Sequence, residues 1–155
     1  RQRQMCIRDR KKGYIKYYGM VQDTREFFKF AHCTVHPSFY PEGISNVCLE
    51  SAACCRPVIT TDNTGCKETV DDGKTGFIVR MQDKQDLIKK VESFINMTNE
   101  ERKKMGILGR KKVIKEFDRK IVVEKYMEEI EDGLQKDLEK SESEIETIRN
   151  SIIHS

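Results

Sequence analysis

Short apolar runs broken by turn residues fill the first half of the chain, and longer runs with apolar residues every three or four positions fill the second. Residues 14–18, Tyr-Ile-Lys-Tyr-Tyr, are aromatic and β-branched and stop at Gly19, which predicts a strand. Residues 24–31 predict a short helix, capped by Thr24 and given apolar bulk by Phe27, Phe28 and Phe30. Residues 33–35 read as a brief buried strand stopped by Pro37, and Val47, Leu49, Ala52 and Ala53 suit a helix over residues 45–54. Residues 57–60 make the next strand. Asp62-Asn63-Thr64-Gly65 is a turn, residues 66–70 one helical turn or two, and Asp72-Gly73-Lys74-Thr75-Gly76 a second turn before a strand at 77–79. Gly73 and Gly76 read as turn glycines supplying positive φ. Strands alternating with short helices argue an α/β fold, a parallel sheet with crossover helices.

Beyond Val79 the pattern is helical. Residues 83–94 place Leu87, Ile88, Val91 and Phe94 at helical spacing, and Thr98-Asn99-Glu100-Glu101 resembles a capping box opening a helix through Met105, Leu108, Val113 and Phe117. Asp118 caps the next helix, with Ile121, Val122, Tyr126 and Ile130 expected to face inward. From Gly133 onward Leu134, Leu138, Ser141, Ile145, Ile148 and Ile152 are spaced 4, 3, 4, 3, 4, a heptad-like seam with one polar break. Residues 128–149 carry nine acids against Lys136, Lys140 and Arg149, a net of −6. Two readings of this amphipathic tail stand: a helix laid on its own or a neighbouring domain, and a self-associating coiled coil.

Composition changes the picture mainly by one exclusion. Residues 1–10 read Arg-Gln-Arg-Gln-Met-Cys-Ile-Arg-Asp-Arg, and residues 5–10 match the translation of a transposon-end sequencing adapter, so we read residues 1–10 as a scar. They hold Arg1, Arg3, Arg8 and Arg10 against Asp9, a net +3 that accounts for the whole formal charge of +3. No case for nucleic acid or an anionic membrane rests on that charge. The expected organisation is a scar at 1–10, an N-terminally truncated domain at 11–132 and a helical tail at 133–155. No apolar run approaches the ~18 residues of a membrane span and there is no signal-peptide pattern, so no membrane-spanning segment is expected; the cytoplasmic location expected here rests on the cysteines. Outside the scar, Cys33, Cys48, Cys54, Cys55 and Cys66 are odd in number and lack Cys-x-x-Cys spacing, so they are expected to be reduced thiols in apolar settings. No zinc site is expected, because the ligands do not cluster with His along the sequence.

The candidate chemistry lies in residues 37–50, Pro-Ser-Phe-Tyr-Pro-Glu-Gly-Ile-Ser-Asn-Val-Cys-Leu-Glu. Glu42 sits beside Gly43 in a loop, and Glu50 lies inside the helix that starts near Ser45, about 7.5 Å along its axis at roughly 1.5 Å per residue. Between the two carboxylates lie the unpaired N–H groups of the helix N-terminus, which with the helix dipole favour an anion such as phosphate. A carboxylate at each end of a phosphate seat suits a nucleotide-sugar. In parallel sheets ligands bind outside the carboxyl ends of the strands, where the Glu42 loop falls.

The ordered set Glu42-Gly-x6-Glu50, Pro57-Val-Ile-Thr-Thr-Asp62, Gly65-Cys-Lys-Glu68 and Asp72-Gly-x-x-Gly76-Phe resembles the C-terminal half of family 4 glycosyltransferases, over about residues 14–130. It is similar in particular to bacterial transferases that build lipid-linked or capsular glycans from UDP-sugars. The resemblance implies the GT-B architecture, two Rossmann-like domains facing a cleft, the C-terminal one holding the donor. It implies transfer with retention, no metal and no cofactor beyond the nucleotide-sugar, and a glycan or lipid-linked acceptor held through an N-terminal domain. It also implies peripheral association of the intact enzyme with the cytoplasmic face of the inner membrane. By position it gives Glu42 a catalytic role at the donor sugar hydroxyls and Glu50 the ribose hydroxyls. Backbone N–H groups of Gly43, Ile44, Ser45 and Asn46 would face the diphosphate, and main chain at Gly19, Met20 and Val21 the base. Gly65 and Glu68 read as turn and cap residues, and neither His32 nor His36 is expected to be catalytic.

Two departures bear on this reading. Cys55 stands where the family most often has Gly after its helix end, and a non-Gly residue in a left-handed cap costs on the order of 1 to 2 kcal/mol, so either the helix ends differently or it is strained. The family's basic residues that grip the diphosphate lie upstream of the matching stretch, so the donor site is expected to be incomplete. The alternative from another class is a noncatalytic nucleotide-sugar-binding or protein-interaction module.

Overall fold

The computed structural model describes residues 13–41 and 43–153, with backbone alone at 146–148 and 151–153. In chain order the elements are α1 (Arg25–Phe30), β1 (Thr34–His36), α2 (Asn46–Ala53), β2 (Val58–Thr61), a 3-10 turn (Lys67–Thr69), β3 (Gly76–Val79), α3 (Lys84–Asn96), α4 (Asn99–Glu116) and α5 (Arg119–Ile153). The strands form a parallel sheet in the order β1-β2-β3, with Val35 opposite Ile59 and Ile59 opposite Phe77.

The middle strand β2, Val-Ile-Thr-Thr, is buried along its whole length, as a parallel strand covered on both faces must be. Val58 joins Cys48 of α2 and Val70 on one face. Ile59 joins Val79, Phe94 of α3 and Met105 of α4 on the other, with Cys33, Phe77, Leu87, Val91 and Met97 around them. Helices therefore cover both faces of the sheet, which is the expected α/β architecture.

Local sequence sets the helix starts. Asp83 accepts from the N–H groups of Gln85 and Asp86 at 3.0 Å, and Thr98 and Glu101 form the reciprocal capping box. The backbone N–H of Thr98, then its hydroxyl, hold the Glu101 carboxyl below its ordinary range. Asp118 accepts from the N–H of Lys120 at 2.9 Å at the start of α5.

Helix α2 ends in a Schellman motif: Cys55 N–H donates to Ala52 O and Arg56 N–H to Ser51 O, both at 2.9 Å. Cys55 occupies the left-handed position at φ 57°, so of the two outcomes the sequence left open the strained cap is the one present. Helix α4 packs on this end through two glycines one turn apart. A Cβ on Gly106 would lie 2.1 Å from the Cys55 carbonyl oxygen, and one on Gly109 would touch Ala52. The Arg110 guanidinium donates to the Ala53 carbonyl, closing the same helix end.

Three expectations are corrected. Residues 14–18 form no strand, and Tyr14, Ile15, Tyr17 and Tyr18 stand exposed. Strand propensity expresses a fit to a pleated, half-covered surface, and no described strand pairs with this segment. Gly76 has no positive φ; it opens β3, where a Cβ would lie 2.0 Å from the Val58 carbonyl oxygen, while Gly73 does turn at φ 74°. The apolar side chains Val122, Tyr126 and Ile130 do not face inward but are exposed on α5, as are Leu134, Leu138 and Ile145. α5 runs unbroken through Gly133, whose cost in a helix is only about 1 kcal/mol. The side chains of Ile148 and Ile152 lie outside the described residues.

Candidate donor-binding site

The loop that leaves β1 is fixed from β2. Thr60 donates its hydroxyl to the His36 carbonyl at 2.9 Å, Thr61 to the Ser38 carbonyl, and Asn63 its amide to the Tyr40 carbonyl at 2.6 Å. Three alternate carbonyls are thus held by three buried polar side chains, each of which would be costly to leave unsatisfied. The loop is delivered to the carboxyl edge of the sheet just before residue 42. Glu42 itself lies outside the described residues.

Beyond it, Gly43 and Ile44 are exposed and Ser45 is buried at the N-cap of α2. The Ser45 N–H donates to the Gly65 carbonyl at 2.8 Å, so it is not available to a ligand; this corrects the expectation that all four N–H groups from Gly43 to Asn46 face an anion. Gly65 turns at φ 88°, and its own N–H donates to a Glu68 carboxylate oxygen at 2.8 Å, which makes Glu68 the cap of that turn. The Ser45 side chain makes no capping bond. Among the described residues the N–H groups of Asn46, Val47 and Cys48 meet no acceptor either, leaving a helix N-terminus open to an anion.

Glu50 lies on the next turn of α2, exposed, and accepts the Thr24 hydroxyl at 3.0 Å. Thr24 was expected to cap α1; it makes no side-chain cap there and orients Glu50 instead. The two line an open cleft of about 430 Å3 with Gln22, Asp23, Arg25, Ala53 and Cys54. The Arg25 guanidinium, then the Arg25 backbone N–H, lower Asp23 to about 2, so Asp23 is ionised and already paired. Gly19, at φ 72°, Met20, fully exposed, and Val21 lead into this cleft without lining it.

The two histidines part company at the ends of β1. His32 precedes the strand and lines a cavity with Arg56, Asn99 and Arg102, away from the donor edge. His36 ends the strand, and one of its ring nitrogens and the Cys48 and Cys66 sulfurs all lie within 4.8 Å of one another. Sequence spacing gave no sign of that cluster, because three elements assemble it.

A family model for "Glycosyl transferases group 1" matches residues 10–112. The chain belongs to this family. It is 38% identical over 104 residues to the capsular polysaccharide biosynthesis glycosyltransferase CapM of Staphylococcus aureus, a match covering 67% of this chain and 27% of that protein. It is 30% identical over 112 residues to the putative glycosyltransferase EpsD of Bacillus subtilis, covering 72% of this chain and 29% of the relative. The chain thus spans under a third of the length of these relatives. The fold matches Anabaena Alr3699/HepE, solved with UDP, at TM-score 0.75 and 20% identity over 84% of this chain and 36% of the other. It also matches the C-terminal domain of a group 1 glycosyltransferase, LpcC, from Francisella tularensis, at TM-score 0.63 and 21% identity over 76% of this chain and 63% of that domain. The ordered motifs thus fall inside the matched family, and the fold of this chain is that of part of these solved structures. No helix among the described residues is long and apolar enough to cross a membrane.

Proposed function

We propose that this chain is the donor-binding half of a retaining glycosyltransferase that takes a UDP-sugar. The observation that carries the proposal is the open N-terminus of α2, with Glu50 held by Thr24 one turn further on. In this reading Glu50 accepts the ribose hydroxyls, and the N–H groups of Gly43, Ile44 and Asn46 take the diphosphate. Main chain at Gly19, Met20 and Val21 meets the base, and Glu42 meets the sugar. Anabaena Alr3699/HepE, of like fold, has been solved with UDP and with UDP-glucose, which supports the nucleotide class. The relation to CapM supports a glycan or lipid-linked acceptor, met by parts of the intact enzyme outside this chain.

In the mechanism the uncapped helix end stabilises charge building on the diphosphate leaving group, and Glu42 stabilises positive charge growing at the anomeric carbon. No metal enters this scheme. Because transfer requires donor and acceptor held together, the chain by itself binds donor weakly and transfers nothing. Calorimetry with UDP tests the reading. Glu50→Ala should weaken UDP binding about tenfold to hundredfold, since a hydrogen bond to a charged group is worth about 1.5 to 3 kcal/mol. An unchanged affinity for UDP would remove Glu50 from the site.

A further inference from the structure

We propose that His36, Cys48 and Cys66 form a binding site for a thiophilic d10 metal ion, behind the donor seat. One ring nitrogen and two sulfurs lie within 4.8 Å of one another, and both thiols are fully buried. Among the described residues this is the one group of three metal-capable side chains. Zinc holds sulfur at about 2.3 Å and nitrogen at about 2.0 to 2.1 Å, which sets ligand atoms about 3.5 to 4 Å apart. Closing the present cluster onto an ion therefore takes side-chain shifts of roughly 1 Å or less. Two sulfurs and one imidazole select Zn2+ or Cu+ over hard cations.

Cysteines in apolar settings often serve as small hydrophobes, and the half-buried Cys33 does so here against the cluster that holds Ile59. Cys48 and Cys66 differ in that an imidazole from a third element converges on both. Thr60 ties the two elements together from outside, because its hydroxyl donates to the His36 carbonyl at 2.9 Å and its oxygen accepts from the Cys48 thiol at 3.9 Å. On binding, each thiol gives its proton to solvent and the thiolate takes the ion, with no change of oxidation state. The ligands come from the end of β1, the first turn of α2 and the turn after Gly65, so the ion would tie together the segments that frame the donor seat. The site stands whether or not the donor is a UDP-sugar.

The test uses the full chain, reduced, with Cys6, Cys33, Cys54 and Cys55 replaced by alanine, and Zn2+ and Cd2+ as probes. We expect one Cd2+ per chain with a sulfur-to-cadmium ultraviolet charge-transfer band. Zn2+ at about a hundredfold excess over its Kd should raise the Tm by about 5 to 10 °C. Cys48→Ala with Cys66→Ala should abolish the band, and His36→Gln should weaken binding while keeping it. Since those variants remove buried groups, the unaltered chain supplies a second measurement: one equivalent of Zn2+ should slow alkylation of Cys48 and Cys66 more than tenfold and spare Cys54 and Cys55. Absence of stoichiometric binding, a band that survives loss of both cysteines, or alkylation indifferent to Zn2+ would each overturn the site.

Discussion

The backbone N–H of Ser45 donates to the carbonyl oxygen of Gly65 over 2.8 Å, and this bond joins the start of α2 to the turn that follows β2. The turn is held in its left-handed form by the Glu68 carboxylate on the Gly65 N–H. Glu68→Ala should therefore loosen both, costing about 1.5 to 3 kcal/mol of stability, the range for hydrogen bonds to charged groups. It should also weaken UDP binding several-fold although Glu68 touches no donor in this scheme. Thermal unfolding and calorimetry on the same variant check the pair; the expected loss of stability with UDP affinity untouched would uncouple the turn from the donor seat.

Cys55 and Gly106 meet at one point and should respond in opposite directions. Cys55→Gly relieves a left-handed strain of about 1 to 2 kcal/mol and adds about 0.5 to 1 kcal/mol of chain entropy to lose, for a net gain of up to about 1.5 kcal/mol. Gly106→Ala drives a methyl to 2.1 Å from the Cys55 carbonyl oxygen, so α4 must move off α2 at a cost of about 1 to 3 kcal/mol. Urea midpoints at constant m should rise for the first and fall for the second.

These positions also show what the sequence made legible. The Cys55 position, the Asp118 cap and the Thr98–Glu101 box were readable because their causes lie within a few residues of one another. The family motifs likewise marked the Glu42 loop and Glu50 in order along the chain. What stayed hidden depends on partners distant in sequence. Residues 14–18 carry strand propensity without a described strand to pair with. The apolar stripe of α5 marks a face but not what covers it. The threonines of β2 looked like strand residues, and only the parallel register lays Thr60, Thr61 and Asn63 against alternate carbonyls of the loop. His36, Cys48 and Cys66 are separated by 12 and 18 positions, and β1, α2 and the turn after Gly65 bring them together.

Helix α5 exposes Leu134, Leu138 and Ile145 along a seam that could pair with another helix. Nine acids against three basic residues between 128 and 149 oppose such pairing with a second copy while the charge is unscreened. The chain should sediment as a monomer at low salt. A stable low-salt dimer that disappears when residues 133–155 are removed would show that apolar burial outweighs the repulsion.

The two carboxylates of the donor site should separate by ligand in the intact enzyme. Glu50, oriented by Thr24, is assigned to the ribose, so Glu50→Ala should weaken UDP and the UDP-sugar alike. Thr24→Val should do the same more mildly, by about twofold to tenfold, since it removes one neutral donor to the carboxylate. Glu42 is assigned to the sugar, and Glu42→Ala should spare UDP altogether. Its cost should appear more in turnover than in binding, because contacts to the sugar count most as the anomeric carbon gains positive charge. Calorimetry with UDP and UDP-sugar, beside steady-state rates, resolves these differences. If Glu42→Ala weakened UDP as much as Glu50→Ala does, the division between sugar and ribose would be wrong, and the loop held by Thr60, Thr61 and Asn63 would have to be read as a structural support of α2.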